Sequence, residues 1–383
     1  MRELVKKTYI ILYKCMFNIY YAMTSFLKKN DHNKAVFVLT REDKLQGNLQ
    51  FVHSELLKQL PEVKIHFVYA ENKMNLKLFK ELNIINDAKY LIIDDYYLPV
   101  YLIKPKKQLK VIQLWHAAGA FKKFGHSTVG TKFGPSKDYL KIVPVHSNYT
   151  NVYVSSQKMI PFYAEAFHME EDQIYPLGIP RIDMFSDENM KKQVFQQIYN
   201  RYPQLKDEKF INILIAPTYR AVGSQGESNF SMNGAMIDVI PSLKENIRIL
   251  YKPHPYTSEQ ELAQLQRYTN VVIADHFTLN EWMLVSDAFI TDYSSAIFDF
   301  ALLYKPFVHY VPDLREYEEN RGFYQPIEQI SDGEIIQTEE KLIQWINNRA
   351  KKEYFDTSNM IEYNFSHTKY VTRSIVEHFI EKV

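Results

Sequence analysis

LKVIQLWHAAGAFKKFG, Leu109–Gly125, reads as an apolar β-type run that stops at a tryptophan–histidine pair and opens at once into alanine and glycine. A second stretch, AFITDYSSAIFDFALLYKP (Ala288–Pro306), has the same form: a short strand, a hydroxyl-rich turn and a helical run. Ligands of α/β folds bind beyond the carboxyl ends of strands. Both stretches therefore place chemistry-bearing side chains where such a fold uses them.

Working outward from the first stretch, short apolar runs alternate with helical segments. Ala35–Leu39, Val63–Tyr69 and Tyr90–Ile93 read as strands before it, the last ending in Asp94-Asp95. A break follows GIPRID (Gly178–Asp183), and a charged helix is expected over Glu188–Tyr199. A second series then begins: Phe210–Ala216, Ile247–Tyr251, Val271–Ala274, Ala288–Thr291 and Phe307–Val311, with helices over Glu339–Arg349 and Thr372–Lys382. Strands separated by helices imply parallel sheets with right-handed crossovers. The expected organisation is a membrane-associated helix at 1–30 and two Rossmann-like domains at 31–190 and 191–383, of which periodicity alone supports only two α/β domains. Two such domains facing a cleft make the GT-B architecture of nucleotide-sugar enzymes. The polar stretch Gly223–Asn233 is expected to be a mobile loop.

Composition narrows the function classes. A net charge of +1 gives no support for a nucleic-acid partner, which asks for a basic excess. With Cys15 as the only cysteine, neither an intrachain disulfide framework nor a thiolate zinc site can form. A reducing, cytoplasmic side fits. GxGxxG, HExxH and GxSxG are absent, and GHSTVGTK (Gly125–Lys132) has the lysine and hydroxyl of a P-loop in the wrong order.

The N-terminal run Tyr9–Leu27 is apolar and aromatic, flanked by Lys6, Lys7, Lys28 and Lys29. Its length could span a bilayer, but Lys14 and Asn18 lie near its middle and would be costly there. A helix lying in the membrane interface, with lysines toward lipid headgroups, fits the pattern better than a span. A buried first helix of the globular domain is the alternative.

Four motifs could carry chemistry. Asp292-Tyr293-Ser294-Ser295 opens a helix, where free N–H groups and the helix dipole favour phosphate; plain N-capping is the simpler alternative. Asp292 would orient that turn or meet a metal rather than touch a polyanion. No metal-ligand set is assigned, and Mg2+ is the one cofactor left open. Lys252-Pro253-His254-Pro255 holds two donors in a proline-stiffened loop. Arg220, after Ala216-Pro217-Thr218-Tyr219, could clamp phosphate bidentately. His116, at a strand end with small residues behind it, suits general-base work.

The ordered set WHAAGAFKKFG, GIPRID, APTYR, KPHP, SDAFITDYSSAIFDF, KP and RGFY, from Leu109 to Tyr324, resembles the CDP-glycerol glycerophosphotransferase family, which includes teichoic acid primases and polymerases. IIDDYYL (Ile92–Leu98) and WHAAG lean toward primase-like members. The resemblance implies a GT-B fold and a peripheral protein of the cell membrane's cytoplasmic side. It implies transfer of glycerol phosphate from CDP-glycerol to a polyprenyl-diphosphate-linked saccharide, with CMP released. By the same resemblance His116 is the base and His254 a second essential histidine. Ser294 and Ser295 match the family's pyrophosphate-binding turn, and Arg220 and Asp292 match motif positions there; with Lys252 they are the candidates for the donor phosphates, and Asp95, Lys122, Lys123 and Arg181 are candidates for the acceptor side. The chain departs from the family at Ala221 and at Leu279-Asn280-Glu281-Trp282, which bears on the cytidine and polyol contacts; CDP-ribitol stands as an alternative donor because related enzymes handle ribitol phosphate. Two other readings compete. One is a GT-B glycosyltransferase or nucleotide-sugar 2-epimerase using Asp299; the other is an inactive membrane-bound scaffold.

Overall fold

The run centred on Val111 is the fourth strand of a six-stranded parallel sheet, and the run at Ala288–Thr291 belongs to a second. The structure, a computed structural model, describes residues 2–40, 43–132, 134–218, 230–254 and 257–381. The polar stretch expected to be a loop lies outside them as far as residue 229; a helix begins at Met232.

The first unit comprises Met1–Ala117, Phe124–Asp183 and Phe365–Val383. Its strands are β1 (Asp31–Leu39), β2 (Lys64–Tyr69), β3 (Ala88–Ile93), β4 (Lys110–Gln113), β5 (Asn151–Tyr153) and β6 (Ile174–Tyr175), in spatial order β2-β1-β3-β4-β5-β6. Helices cover a parallel sheet on both faces, so its central strands read as continuous apolar runs. Val36, Phe37, Leu91, Ile92, Val111 and Ile112 are accordingly inaccessible to solvent.

The second unit comprises Ala118–Lys123 and Met184–Asn364. It contains β7 (Ile211–Ile215), β8 (Ile247–Tyr251), β9 (Val271–Ile273), β10 (Ala288–Thr291), β11 (Phe307–Tyr310) and β12 (Glu334–Ile336), ordered β12-β11-β10-β7-β8-β9. That is the Rossmann order, and its direction reverses between β7 and β10. Ile213, Ile249, Ile290 and Val308 form its core with Val239, Leu342 and Ile346 from the flanking helices.

The first unit is closed by its own last segment. Asp183 of the GIPRID motif accepts from the N–H groups of Val371 (2.9 Å) and Thr372 (2.8 Å), capping the helix Val371–Glu381. Gly178, at φ 108°, lets Val371 approach to 2.7 Å of where a Cβ would stand. Phe379 then packs on Tyr90 at 5.5 Å between ring centres, and its carbonyl accepts from Lys110 Nζ at 2.8 Å.

Helix α1, Arg2–Leu27, is two-sided. Ile10, Tyr13, Phe17 and Tyr21 are buried, with Tyr13, Phe17 and Tyr20 around the Phe79 ring. Lys14 donates to the Ile142 carbonyl at 2.6 Å, and Asn18 donates to that of Leu102. The Lys14 amine is thus spent inside its own unit, where burial lowers its pKa. Lys28 likewise donates to the Asn83 carbonyl at 2.7 Å. The opposite stripe, Val5, Leu12, Met16, Ile19, Met23 and Phe26, is exposed. Among the described residues α1 is the one helix long and apolar enough to cross a membrane.

Candidate active site

In the first unit the polar residues gather past the carboxyl ends of β3 and β4. His116 Nδ1 lies 3.2 Å from the Asp94 carbonyl oxygen and 3.7 Å from Asp95 Oδ1. Both neighbours are oxygen acceptors, so Nδ1 carries the proton and Nε2 is the basic nitrogen. The imidazole stacks on Trp115 at 4.2 Å, and the indole stacks in turn on Phe124 at 5.0 Å. Beneath them His146 is buried, with its Nδ1 2.9 Å from the Tyr149 hydroxyl. Burial pushes the His146 imidazole down to about 3, which keeps it neutral. Asp95 thus stands against His116. Arg181 is buried, and its backbone N–H donates to Asn48 Oδ1 at 3.1 Å.

In the second unit three neighbouring strands, β8, β7 and β10, bring their ends together. The Asp292 carboxylate accepts from the Thr218 N–H (2.9 Å) and the Thr218 hydroxyl (2.8 Å), bridging β10 to β7 where the strand order reverses. That point is where open α/β sheets form their ligand crevice. Next to it, Ser294 Oγ accepts from the Ala296 N–H at 3.2 Å; Ser294 and Ser295 are part-exposed. At the end of β8, Lys252 Nζ donates to the Phe277 carbonyl at 2.7 Å, and the His254 carbonyl accepts from the Thr257 N–H at 2.8 Å. Arg220 lies outside the described residues. Both Asp292 oxygens are engaged by Thr218. Among the described residues no three His, Cys, Asp or Glu side chains gather as a metal-ligand group.

Lys122 and Lys123 belong to a short antiparallel pairing with the RGFY motif. Lys122 bridges to Phe323, the Lys123 N–H donates to the Gly322 carbonyl (3.1 Å), and the Tyr324 N–H donates to that of Phe121 (3.0 Å). Phe121 stacks on Phe323 at 5.0 Å, and Tyr293 stacks on Tyr317 at 3.8 Å, so the first and last motifs pack behind the Asp292 turn.

His309 was not singled out in the sequence, where it reads as one residue of an apolar strand. It is buried, with Nδ1 3.0 Å from the Asp292 carbonyl and Nε2 2.8 Å from Ser331 Oγ, and burial pushes it down to about 4. A neutral ring donates to the carbonyl and accepts from the hydroxyl, which pins the turn from behind. Asp299 is buried, and its Oδ2 accepts from Asn280 at 2.9 Å.

At the amino ends of the second sheet's strands a cavity of about 580 Å³ is lined by Lys305, Lys351 and Asp287 among others. Lys305 Nζ donates to the carbonyls of Leu284 (3.2 Å) and Ser286 (2.5 Å), capping the helix Leu279–Val285. Lys351 pairs with Asp287 at 2.9 Å. The KP motif is explained by helix capping.

Residues 19–375 match the model of the CDP-glycerol:poly(glycerophosphate) glycerophosphotransferase family. A teichoic acid ribitol-phosphate primase of Bacillus spizizenii is 38% identical over 343 residues, covering 86% of each chain. The teichoic acid ribitol-phosphate polymerase TarK of Staphylococcus aureus is 32% identical, covering 94% of this chain and 69% of its own. In fold, the chain matches a structure of the wall teichoic acid polymerase TagF with a TM-score of 0.74 at 18% identity, over 100% of this chain and 98% of that one. The two parallel sheets are thus a GT-B-like fold.

Proposed function

The chain belongs to the CDP-glycerol:poly(glycerophosphate) glycerophosphotransferase family, and from that membership we propose that it transfers a polyol phosphate from a CDP-linked donor to a hydroxyl of a lipid-linked saccharide in teichoic acid synthesis. The observation that carries this reading is His116, set at the end of β4 with Nδ1 held by the Asp94 carbonyl. In that tautomer Nε2 takes the proton of the acceptor hydroxyl. The acceptor oxygen bonds to the β-phosphorus, and the bond from that phosphorus to the bridging oxygen breaks. CMP leaves with the electron pair. The charge that builds on the phosphates is met by Ser294, Ser295, Lys252 and His254. A general base supplies roughly 10²–10⁴-fold, and positioning and charge stabilisation supply the rest.

Ribitol phosphate is the favoured cargo, because the ribitol-phosphate primase and polymerase are 38% and 32% identical, against 29% for the glycerol-phosphate primase of Bacillus subtilis. The acceptor is a polyprenyl-diphosphate-linked saccharide. The exposed apolar stripe of α1 lies on the cytoplasmic surface of the cell membrane, which brings the enzyme to a lipid-linked acceptor. The experiment is mass spectrometry of products formed when CDP-ribitol and CDP-glycerol are each offered with a synthetic lipid-linked disaccharide. One added ribitol phosphate with release of CMP is expected. Transfer only from UDP-sugars would reject the proposal.

A further inference from the structure

We infer that Asn48 is a positioning residue for His116: its side-chain amide holds Trp115 in the turn from which the imidazole is presented. Trp115 has φ 52°, a left-handed conformation that a bulky residue adopts only when its surroundings over-determine it. Two amide side chains do so. Asn48 Nδ2 donates to the Trp115 carbonyl at 2.7 Å, and Gln113 Oε1 accepts from the Trp115 N–H at 2.8 Å. Gln113 Nε2 donates to the Asp95 carbonyl at 3.1 Å, so this clamp also fixes the strand end that His116 leans on.

Asn48 sits at the start of helix α2 (Gly47–Gln59), 3% exposed, and its Oδ1 accepts from the Arg181 N–H at 3.1 Å. The position demands a donor toward Trp115 and an acceptor toward Arg181, both buried. An amide supplies both; a carboxylate supplies acceptors alone and would face the Trp115 carbonyl with a second oxygen. Losing the clamp frees the Trp115–His116 peptide to relax toward an ordinary conformation. The imidazole would then leave the Asp94 carbonyl.

The inference rests on His116 being the base, and the test separates the two. Asn48→Asp preserves shape and the Arg181 contact, and Asn48→Ser removes the longer reach. Each is assayed for turnover with CDP-ribitol and CDP-glycerol, and for donor affinity by calorimetry. We expect kcat to fall about tenfold to a hundredfold, the range of a sub-ångström to ångström misplacement, with donor Kd changed less than about threefold. In a His116→Ala background Asn48→Asp should cost nothing further, because residues acting as one unit are non-additive. Tryptophan emission supplies an independent readout. In a Trp282→Phe, Trp345→Phe background the emission reports Trp115, against which the His116 ring stacks at 4.2 Å; it should change in His116→Ala and change in Asn48→Asp.

Unchanged kcat in Asn48→Asp, a loss that adds to that of His116→Ala, or loss of the fold in both Asn48 variants would overturn the inference. If His116→Ala retains turnover, the base assignment fails instead, and the change in Trp115 emission still tells whether Asn48 holds the turn.

Discussion

At the scale of single residues, three side chains carry separable roles. His116→Ala should cut turnover by about 10²–10⁴-fold, the contribution of general-base catalysis, while calorimetric affinity for the CDP-linked donor holds. Lost binding with intact turnover would reverse that assignment. Asp292→Ala removes the acceptor of two Thr218 bonds and should weaken donor affinity and lower stability together. Hydrogen bonds to charged groups are worth about 1.5–3 kcal/mol each, so a denaturant midpoint and a calorimetric titration suffice to check it. His116 and Asp292 could be found in the sequence because strand ends could be found. His309 and Asn48 could not. Each acts by joining segments far apart in the chain, Asp292 with Ser331 in one case and Trp115 with Arg181 in the other, and no local pattern records such a partner.

At the scale of elements, length decided what could be read. The long buried strands β1, β7 and β8 show as apolar runs. Strands β5, β6 and β12 have three, two and three residues and give no period to detect, whereas β9, also three residues, shows because Val271–Ala274 is a continuous apolar run. The turn after His116 illustrates a constraint that composition hinted at without explaining. Gly119 has φ 66°, and an added Cβ would stand 2.6 Å from the Phe298 ring. Gly119→Ala should therefore destabilise by roughly 1–3 kcal/mol through overpacking, with a further cost from the backbone, seen as a lowered melting temperature. Helix α1 was expected to bury one face or lie on a membrane, and the structure gives it both a buried face and an exposed apolar one. Phe17→Ala should cost about 3–5 kcal/mol in stability. Met16→Glu with Ile19→Glu should shift stability by less than about 0.5 kcal/mol for each exposed site. The pair should nonetheless abolish co-sedimentation with anionic vesicles; retained sedimentation would remove the membrane role from α1.

At the scale of the whole molecule, each unit contains a buried neutral histidine, His146 in the first and His309 in the second. An unfolded imidazole takes its proton near 6.5, whereas burial holds these two down to about 3 and about 4. The unfolded chain therefore binds more protons across that window. Their contribution to stability is complete above about pH 6.5 and is lost as pH falls toward 4. Urea midpoints at pH 7.5 and pH 5 should show the loss, and His309→Gln should flatten part of the slope.

The unit boundaries are hard to read from the sequence, because Asp183 meets Val371 and Thr372 across 188 and 189 residues of chain. That capping contact bears on how the protein is made. Ribosomes release a chain from its amino end, and domains ordinarily finish folding in that order. Here the second unit is complete by Asn364, while the first must wait for Phe365–Val383. The half translated earliest is the half completed last, so a stalled or clipped nascent chain would leave β3 and β4 without the helix that covers them.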